Sequence, residues 1–426
     1  MLRVTVKIML ANKLFLNLVV TFSLFSGSYI MGGVKFYPPL LFALLGFGQS
    51  SLGRKMPGIL VSEMKWWFLF LALMLLCYFV GQNNDYLFVL FRYLSKAILI
   101  PFGCCLLIRN LAQDISERRS DFHTIVRQSV AFALYFQFII VILQLTLPSF
   151  REAFNSIIEL TDEWKALADV GHFRATGLAG LSIYDTSIAY GILYLFFLPW
   201  CTSKNLTQNF KFLLITLIIC VLSLIAGRSG FIFVFTIFLF FFIYSRRKIF
   251  YSFSLTSFIA LTIIAVIAVM GMDKFTQFLQ FVFEPIYNYM DTGSFETAST
   301  NELIDSYLFI PWEVPPLTGF GFWAQPSLSE PYNFIYKTDS GILLNYIAFG
   351  IAGLVFVLSY TWHFIKNHLT FIEMNSLVLK GGFGICMAAL IFSFALKGPI
   401  YFSEKIMTAY FIWLIYNSQE KKELGF

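Results

Sequence analysis

Long apolar stretches recur along almost the whole chain, separated by short segments that hold most of its lysines and arginines. A helix needs about 20 apolar residues, within a range of about 17–25, to cross the hydrocarbon of a bilayer. Hydrocarbon offers backbone N–H and C=O groups no partner, so a chain dissolved in it pairs them internally. The repeated stretches therefore predict an all-α polytopic integral membrane protein. Composition agrees: 58% of residues are hydrophobic and 13% charged, against about 25% charged in soluble domains. The net charge of +6 does not signal nucleic acid, because the basic residues lie mostly in short loops, where they orient helices in the membrane.

Twelve spans are expected, near 12–32, 36–50, 66–81, 86–108, 129–148, 179–200, 210–227, 229–245, 250–271, 339–361, 379–396 and 398–417. The second is short and carries Pro38 and Pro39, and a tight turn at Lys397-Gly398-Pro399 joins the last two. The N-terminus resembles a signal peptide, with basic residues before an apolar run and small residues after it; an uncleaved first helix is the expectation, given the spans that follow. With both termini cytoplasmic, the inner segments hold Arg3, Lys7 and Lys13; Arg54, Lys55 and Lys65; Arg109, Arg118, Arg119 and Arg127; Lys204 and Lys211; Arg246, Arg247 and Lys248; Lys366 and Lys380; and Lys421 and Lys422. Every inner segment is basic, as the positive-inside rule requires. A missed span would invert everything after it.

This topology leaves two large loops outside, 148–178 and 272–338, on a single membrane domain 1–426. The second is rich in aromatics, among them Trp312, Trp323, Tyr287 and Tyr332, and in carboxylates such as Glu284, Asp291 and Glu330. That is too aromatic for a disordered linker. Rings that stack on sugar faces and carboxylates that accept from hydroxyls suit carbohydrate; interfacial aromatic belts are the bland alternative. The six cysteines lie in or beside apolar stretches with no zinc-ligand spacing, so neither disulfides nor a metal site is expected.

Two arginines stand beside the outer loops: Arg174 in GHFRATGLAG and Arg228 in the turn AGRSG. A guanidinium at membrane depth is costly and marks a functional site, and its planar fork grips phosphate bidentately. Glycines beside each let backbone approach a ligand closely. Snorkelling at Arg228 and a loop salt bridge at Arg174 are the structural alternatives. Asp339, where the tenth span begins, is either a helix cap or a general base at the membrane surface. Arg92 and Lys96 share a helix face, and Arg92 would pair with Asp185. Lys397 and Lys405 flank the last outer turn, in reach of lipid phosphates. His172 is the outward histidine, a second acid/base candidate.

Three of these stretches together resemble the O-antigen polymerase and ligase families of bacterial inner membranes. RATGLAGLSIYDTSIAYG looks like their Arg-x-x-Gly segment, AGRSG like their small-residue/Arg turn, and GFGFW followed by TDSGILLNYIAFGIAG like the segment closing the second large loop. The architecture matches over most of the chain. Two departures stand out. Ligases carry a histidine where this chain has Asp339, which favours the polymerase. Relatives have an arginine early in the second loop, where this chain reads TASTNELID.

The resemblance implies glycosyl transfer at the outer leaflet. The donor is an undecaprenyl-pyrophosphate-linked oligosaccharide and the acceptor a sugar hydroxyl of another such unit. Asp339, Arg174 and Arg228 would be catalytic, with Arg92, Asp185, Lys397, Trp312, Trp323 and His172 binding substrate. No cofactor or metal is expected. The partners implied are lipid-linked glycan, membrane lipid, a chain-length regulator and a flippase, with no nucleic acid. A ligase or capsule polymerase would share this chemistry. A flippase of lipid-linked oligosaccharide is the competitor of another class, though the long second loop and the lack of a repeat argue against it.

Overall fold

The structure, a computed structural model, describes residues 2–51, 57–81, 94–116, 119–160, 177–180, 183–202, 205–244, 283–294, 314–320, 340–369, 377–398 and 400–423, with positions 91, 175, 276, 279, 280, 296, 301 and 338 between them. These residues are mostly helical. Five helices among them are long and apolar enough to cross a membrane: Gly58–Val80, Ser95–Ile115, Asp121–Thr146, Leu206–Ala226 and Gly341–His368. Shorter apolar helical runs cover Asn12–Phe25, Ser229–Phe240 and Gly381–Lys397. The predicted span 250–271 lies outside the described residues, as does most of the second large loop.

The chain divides into two compact units. The first comprises Met1–Met56, Ala97–Val282 and Glu404–Phe426. Its first helix, α1 (Leu2–Phe25), ends seven residues before the predicted span does. Gly27 and the Gly32-Gly33 pair turn the chain into a hairpin, β1 (Tyr29–Met31) and β2 (Val34–Phe36). Both turn glycines have positive φ, 58° and 81°, the geometry a two-residue hairpin loop demands. Helix α2 (Pro38–Ser51) follows, with Pro38 and Pro39 in its first turn, where proline's missing N–H costs nothing. Its 14 residues reach about 21 Å at about 1.5 Å each, short of a hydrocarbon core of about 30 Å.

Helix α3 belongs to the second unit. In the first, α4 (Ile100–Ile115) packs along α2 through small residues. A Cβ on Gly46 would collide with the carbonyl of Gly103, and one on Gly103 with Ala43, the close backbone approach that small residues permit in membrane helices. Then come α5 (Arg119–Thr146) and the short α6 (Pro148–Ile157), which already occupies the start of the first predicted outer loop.

The predicted span 179–200 is in fact three pieces: α7 (Ile183–Tyr194), a 3-10 turn (Leu195–Phe197) and α8 (Leu198–Thr202). Pro199 explains the break. It has no N–H to offer the Leu195 carbonyl four residues back, so the N–H of Leu198 takes that carbonyl in a tighter bond. The Phe196 carbonyl accepts from Arg127 Nε at 2.9 Å. Helices α9 (Leu206–Ala226) and α10 (Arg228–Tyr244) follow, close to prediction. The last helix, α14 (Glu404–Glu423), is buried from Lys405 to Asn417 and packs on α4, α7, α1 and α5. A helix apolar on all sides belongs at the centre of a bundle.

The second unit comprises Pro57–Lys96 and Phe283–Ser403. Its helices are α3 (Gly58–Gly81), α11 (Glu284–Thr292), α12 (Gly341–Leu369) and α13 (Leu377–Lys397). Helix α12 packs against both α3 and α13. An aromatic core of Trp67, Phe70, Phe356, Tyr360 and Phe402 holds this unit, with Phe70 and Phe402 ring centroids 4.8 Å apart. Helix α3 exposes Phe68, Leu69, Leu75, Leu76 and Phe79, and α13 exposes Ile385 and Phe392. Apolar area on that scale is a liability in water and ordinary against hydrocarbon.

Candidate functional site

At one end of the first unit, five chain segments converge: the end of α1 with its hairpin, the end of α5 with α6, the Gly177–Gly180 turn before α7, the α9–α10 junction, and the start of α14. The hairpin is tied to α6 by a bridge between Tyr29 and Ile158 and by Glu159 N–H donating to the Ser28 carbonyl at 2.9 Å. Lys35 and Glu159 form a salt bridge across the same edge. The predicted spans 12–32 and 36–50 run into this hairpin, although a Gly-Gly pair between short apolar runs is a hairpin signal.

The Gly177–Gly180 turn closes the stretch that begins with Arg174. Two glutamines of α5 hold it. Gln144 Oε1 accepts from Gly177 N–H at 2.8 Å, and Gln137 Oε1 accepts from Leu178 N–H at 3.0 Å. The same Gln137 donates to the Tyr190 hydroxyl of α7 at 3.3 Å. The Leu178 carbonyl accepts from Gly27 N–H at 2.7 Å. Gly177 and Gly180 sit at φ 54° and 60°, which only glycine adopts freely, and a Cβ on Gly177 would strike the Gln137 amide. The turn is thus buried, and the N–H groups of Gly177 and Leu178 and the Leu178 carbonyl are all paired. Arg174 and His172 themselves lie outside the described residues.

The Arg228 turn is tighter than its sequence suggests. One residue, Gly227, separates α9 from α10, and Arg228 is already the first residue of the helix. Ser187 of α7 clamps this junction with one hydroxyl. It donates to the Gly227 carbonyl at 2.5 Å and accepts from Gly230 N–H at 2.9 Å. A Cβ on Gly230 would drive into the Ser187 backbone. The backbone of Arg228 is therefore pinned on both sides. The positive end of the α10 dipole coincides with it, an arrangement that favours an anion. Because Gln137 bonds Tyr190 of α7 and Ser187 of α7 bonds the α9–α10 junction, that one helix connects the two arginine stretches. Asp185 lies in the first turn of α7, half-buried, where a carboxylate complements the dipole. Its predicted partner Arg92 lies outside the described residues.

Lys405 departs from expectation. It is buried rather than open to lipid phosphates; it donates to the Ser26 carbonyl and lies 3.6 Å from Glu404. Glu404 also accepts from the Tyr37 hydroxyl. Lys397, at the end of α13 in the second unit, is exposed.

In the second unit, the residue beside Asp339 takes the capping role considered for that carboxylate. Ser340 Oγ accepts from Leu343 N–H at 3.4 Å, and Thr338 Oγ1 accepts from Ser340 N–H at 3.1 Å. Thr338 and Ser340 are both fully buried. Asp339, Trp312 and Trp323 lie outside the described residues. Further along α12, Gly350 breaks the helix at φ 63° and ψ −146°. The turn 314–320, from the second large loop, docks there: Ile351 N–H donates to the Pro316 carbonyl at 2.6 Å, and Phe320 N–H to the Ile347 carbonyl at 2.9 Å. Irregular backbone at membrane depth persists only when buried and paired in this way. Gly350 lets the loop interrupt the helix.

Chemically, the first unit offers an anion-favouring helix end that begins with an arginine. Compared with protein-family models and with curated proteins, the chain matches none.

Proposed function

We propose that the chain polymerises undecaprenyl-pyrophosphate-linked oligosaccharide units into surface polysaccharide at the periplasmic face of a bacterial inner membrane. Its topology would be twelve spans with both termini cytoplasmic, so that the convergent end of the first unit faces the periplasm. The observation that carries this reading is the Ser187 clamp, which fixes Arg228 at the N-terminus of α10 and links it to the helix that follows Arg174.

Arg174 and Arg228 bind the donor's pyrophosphate. The acceptor hydroxyl oxygen attacks the anomeric carbon of the donor glycan as the carbon–oxygen bond to pyrophosphate breaks. Asp339 accepts the hydroxyl proton. The lipid pyrophosphate departs with its charge matched by the two guanidiniums, where preorganised positive groups lower the barrier most. The membrane holds both substrates by their tails and supplies much of the proximity. Trp312, Trp323 and His172 act on the glycan side of this scheme.

The test is a gel of surface polysaccharide from a deletion strain complemented with variants. The deletion should leave a single repeat unit on the lipid core and no ladder. Arg174→Ala and Arg228→Ala should fail to restore the ladder while inserting normally. Polymer that is made but never joined to core would instead identify a ligase. Failure of any repeat unit to reach the outer face would identify a flippase, and a normal ladder from either variant would remove that arginine from the mechanism.

A further inference from the structure

A second polar centre lies in the other unit and involves no residue of the proposed reaction. Glu63 of α3 is 1% exposed within a helix long and apolar enough to span. It stands near the start of that helix, before the predicted span 66–81, and a buried carboxylate is retained only when it is paired and hydrogen-bonded. Three residues on one face of α12 surround it. Glu63 Oε1 lies 2.6 Å from His363 Nε2 and accepts from Asn367 Nδ2 at 3.0 Å, while Oε2 accepts from the Tyr360 hydroxyl at 3.4 Å. The carboxylate fixes the imidazole and engages Nε2, so Nδ1 is the ring nitrogen left for a ligand.

His363 is not sealed in. Its side chain is 23% exposed and lines an open cleft of about 500 Å³ together with Trp66, Leu358, Ser359, Trp362 and Lys366. The Trp66 ring packs on the imidazole, centroids 5.2 Å apart, and on Tyr360, which stiffens one wall.

The surface leading into this cleft says what it holds. Ile351, Val355, Leu358 and Trp362 form one exposed stripe down α12, 47%, 56%, 39% and 65% accessible. Their spacing of three and four residues keeps them on one helix face. One turn further the same stripe reaches the exposed Lys366. An apolar track that ends in a tryptophan and then a cation is the profile of a membrane interface. A soluble sugar or nucleotide has no use for such a track. A phospholipid does: acyl chains along the stripe, headgroup at its polar end.

We propose that this cleft binds the phosphate of an anionic phospholipid, with Lys366 and, when both ring nitrogens carry protons, His363 as its donors, Glu63 orienting His363, and Trp362 against the glycerol and upper acyl region. Lys65 and Lys366 lie in segments assigned to the cytoplasmic side, so the lipid would come from the inner leaflet. The proposal does not depend on the glycosyl-transfer reading.

The experiment is native mass spectrometry of the full, delipidated chain titrated with phosphatidylglycerol or with phosphatidylcholine of identical acyl chains. Phosphatidylglycerol should be retained about tenfold more tightly, equivalent to about 1.4 kcal/mol. His363→Ala and Lys366→Ala should each abolish the preference, while Trp362→Ala should weaken retention of both lipids. Lys366 is exposed, so its truncation leaves the core intact should His363→Ala fail to fold. Ile385→Ala, on the exposed face of α13, should leave the preference unchanged. Equal retention of the two lipids overturns the proposal, as does a preference that survives Lys366→Ala. Binding of inorganic phosphate or glycerophosphate as tight as that of the lipid would make this a free-anion site and overturn it too.

Discussion

Ser187 shows how one small side chain can fix the place of a charge. Its hydroxyl donates to Gly227 and accepts from Gly230, so both backbone groups flanking Arg228 are paired at a junction where two helix ends meet. Helix ends leave such groups without intrahelical partners. Ser187→Ala strips both bonds at once and leaves the Gly230 N–H buried and unpaired, a cost of about 1–3 kcal/mol. The expected outcome is a lower melting temperature in detergent and a shortened glycan ladder, while Ser187→Thr retains part of both. A variant that melts normally and restores a full ladder would show that the clamp does not position Arg228. At this scale the sequence was half legible. Gly177, Gly180, Gly227 and Gly230 stand out beside their arginines, because glycine and arginine are conspicuous in apolar surroundings. Ser187, Gln137 and Gln144 do not, because a lone polar residue on an apolar helix has no local pattern and its partner lies some 40 residues away. Lys405 misled for the opposite reason: its position near a turn suggested exposure, whereas Ser26, at the far end of the chain, buries it.

Hydrophobic runs located the helices well and their interruptions poorly. Leu206–Ala226, Arg228–Tyr244 and Leu377–Lys397 fall within a few residues of expectation, since an apolar run bounded by polar residues is a local signal. The break in the predicted sixth span had a local cause, Pro199, that the run of apolar residues masked. The break in α12 had none. YIAFGIAGLVF reads as continuous helix, and only the docking of residues 314–320 reveals why Gly350 leaves helical space. Gly350→Ala therefore meets two obstacles: a positive φ that disfavours a side chain and a Cβ that collides with the Pro316 carbonyl. At an ordinary exposed helical glycine the same change stabilises by about 1 kcal/mol; here it should destabilise by more than that. Gly381, with open space where a Cβ would stand, is the internal control. Comparing the melting temperatures of Gly350→Ala and Gly381→Ala checks this, and equal effects would mean that the break at Gly350 is not required.

At the scale of the molecule, charge and connectivity make one joint claim. In the proposed twelve-span topology the end of α1, the end of α5, the start of α7, the α9–α10 junction and the start of α14 would lie on a single side of the membrane. Hydrogen bonds within the first unit bring those same five ends together: Gly27 to Leu178, Gln144 to Gly177, Ser187 to Gly227 and Lys405 to Ser26. Charge bias and packing are independent constraints, and their agreement could fail with a single missed span. Reporter fusions test it directly. Alkaline phosphatase, which matures only outside the cytoplasm, should be active when fused after position 160 or 294 and inactive after position 116, 205 or 370. A cytoplasmic reporter should give the inverse pattern. Activity after 205 would invert the α9–α10 junction and put Arg228 against the cytoplasm, where no outer-leaflet pyrophosphate reaches it. That result would dismiss the polymerase reading; the leaflet of the lipid cleft in the second unit is read separately, by the fusion after position 370.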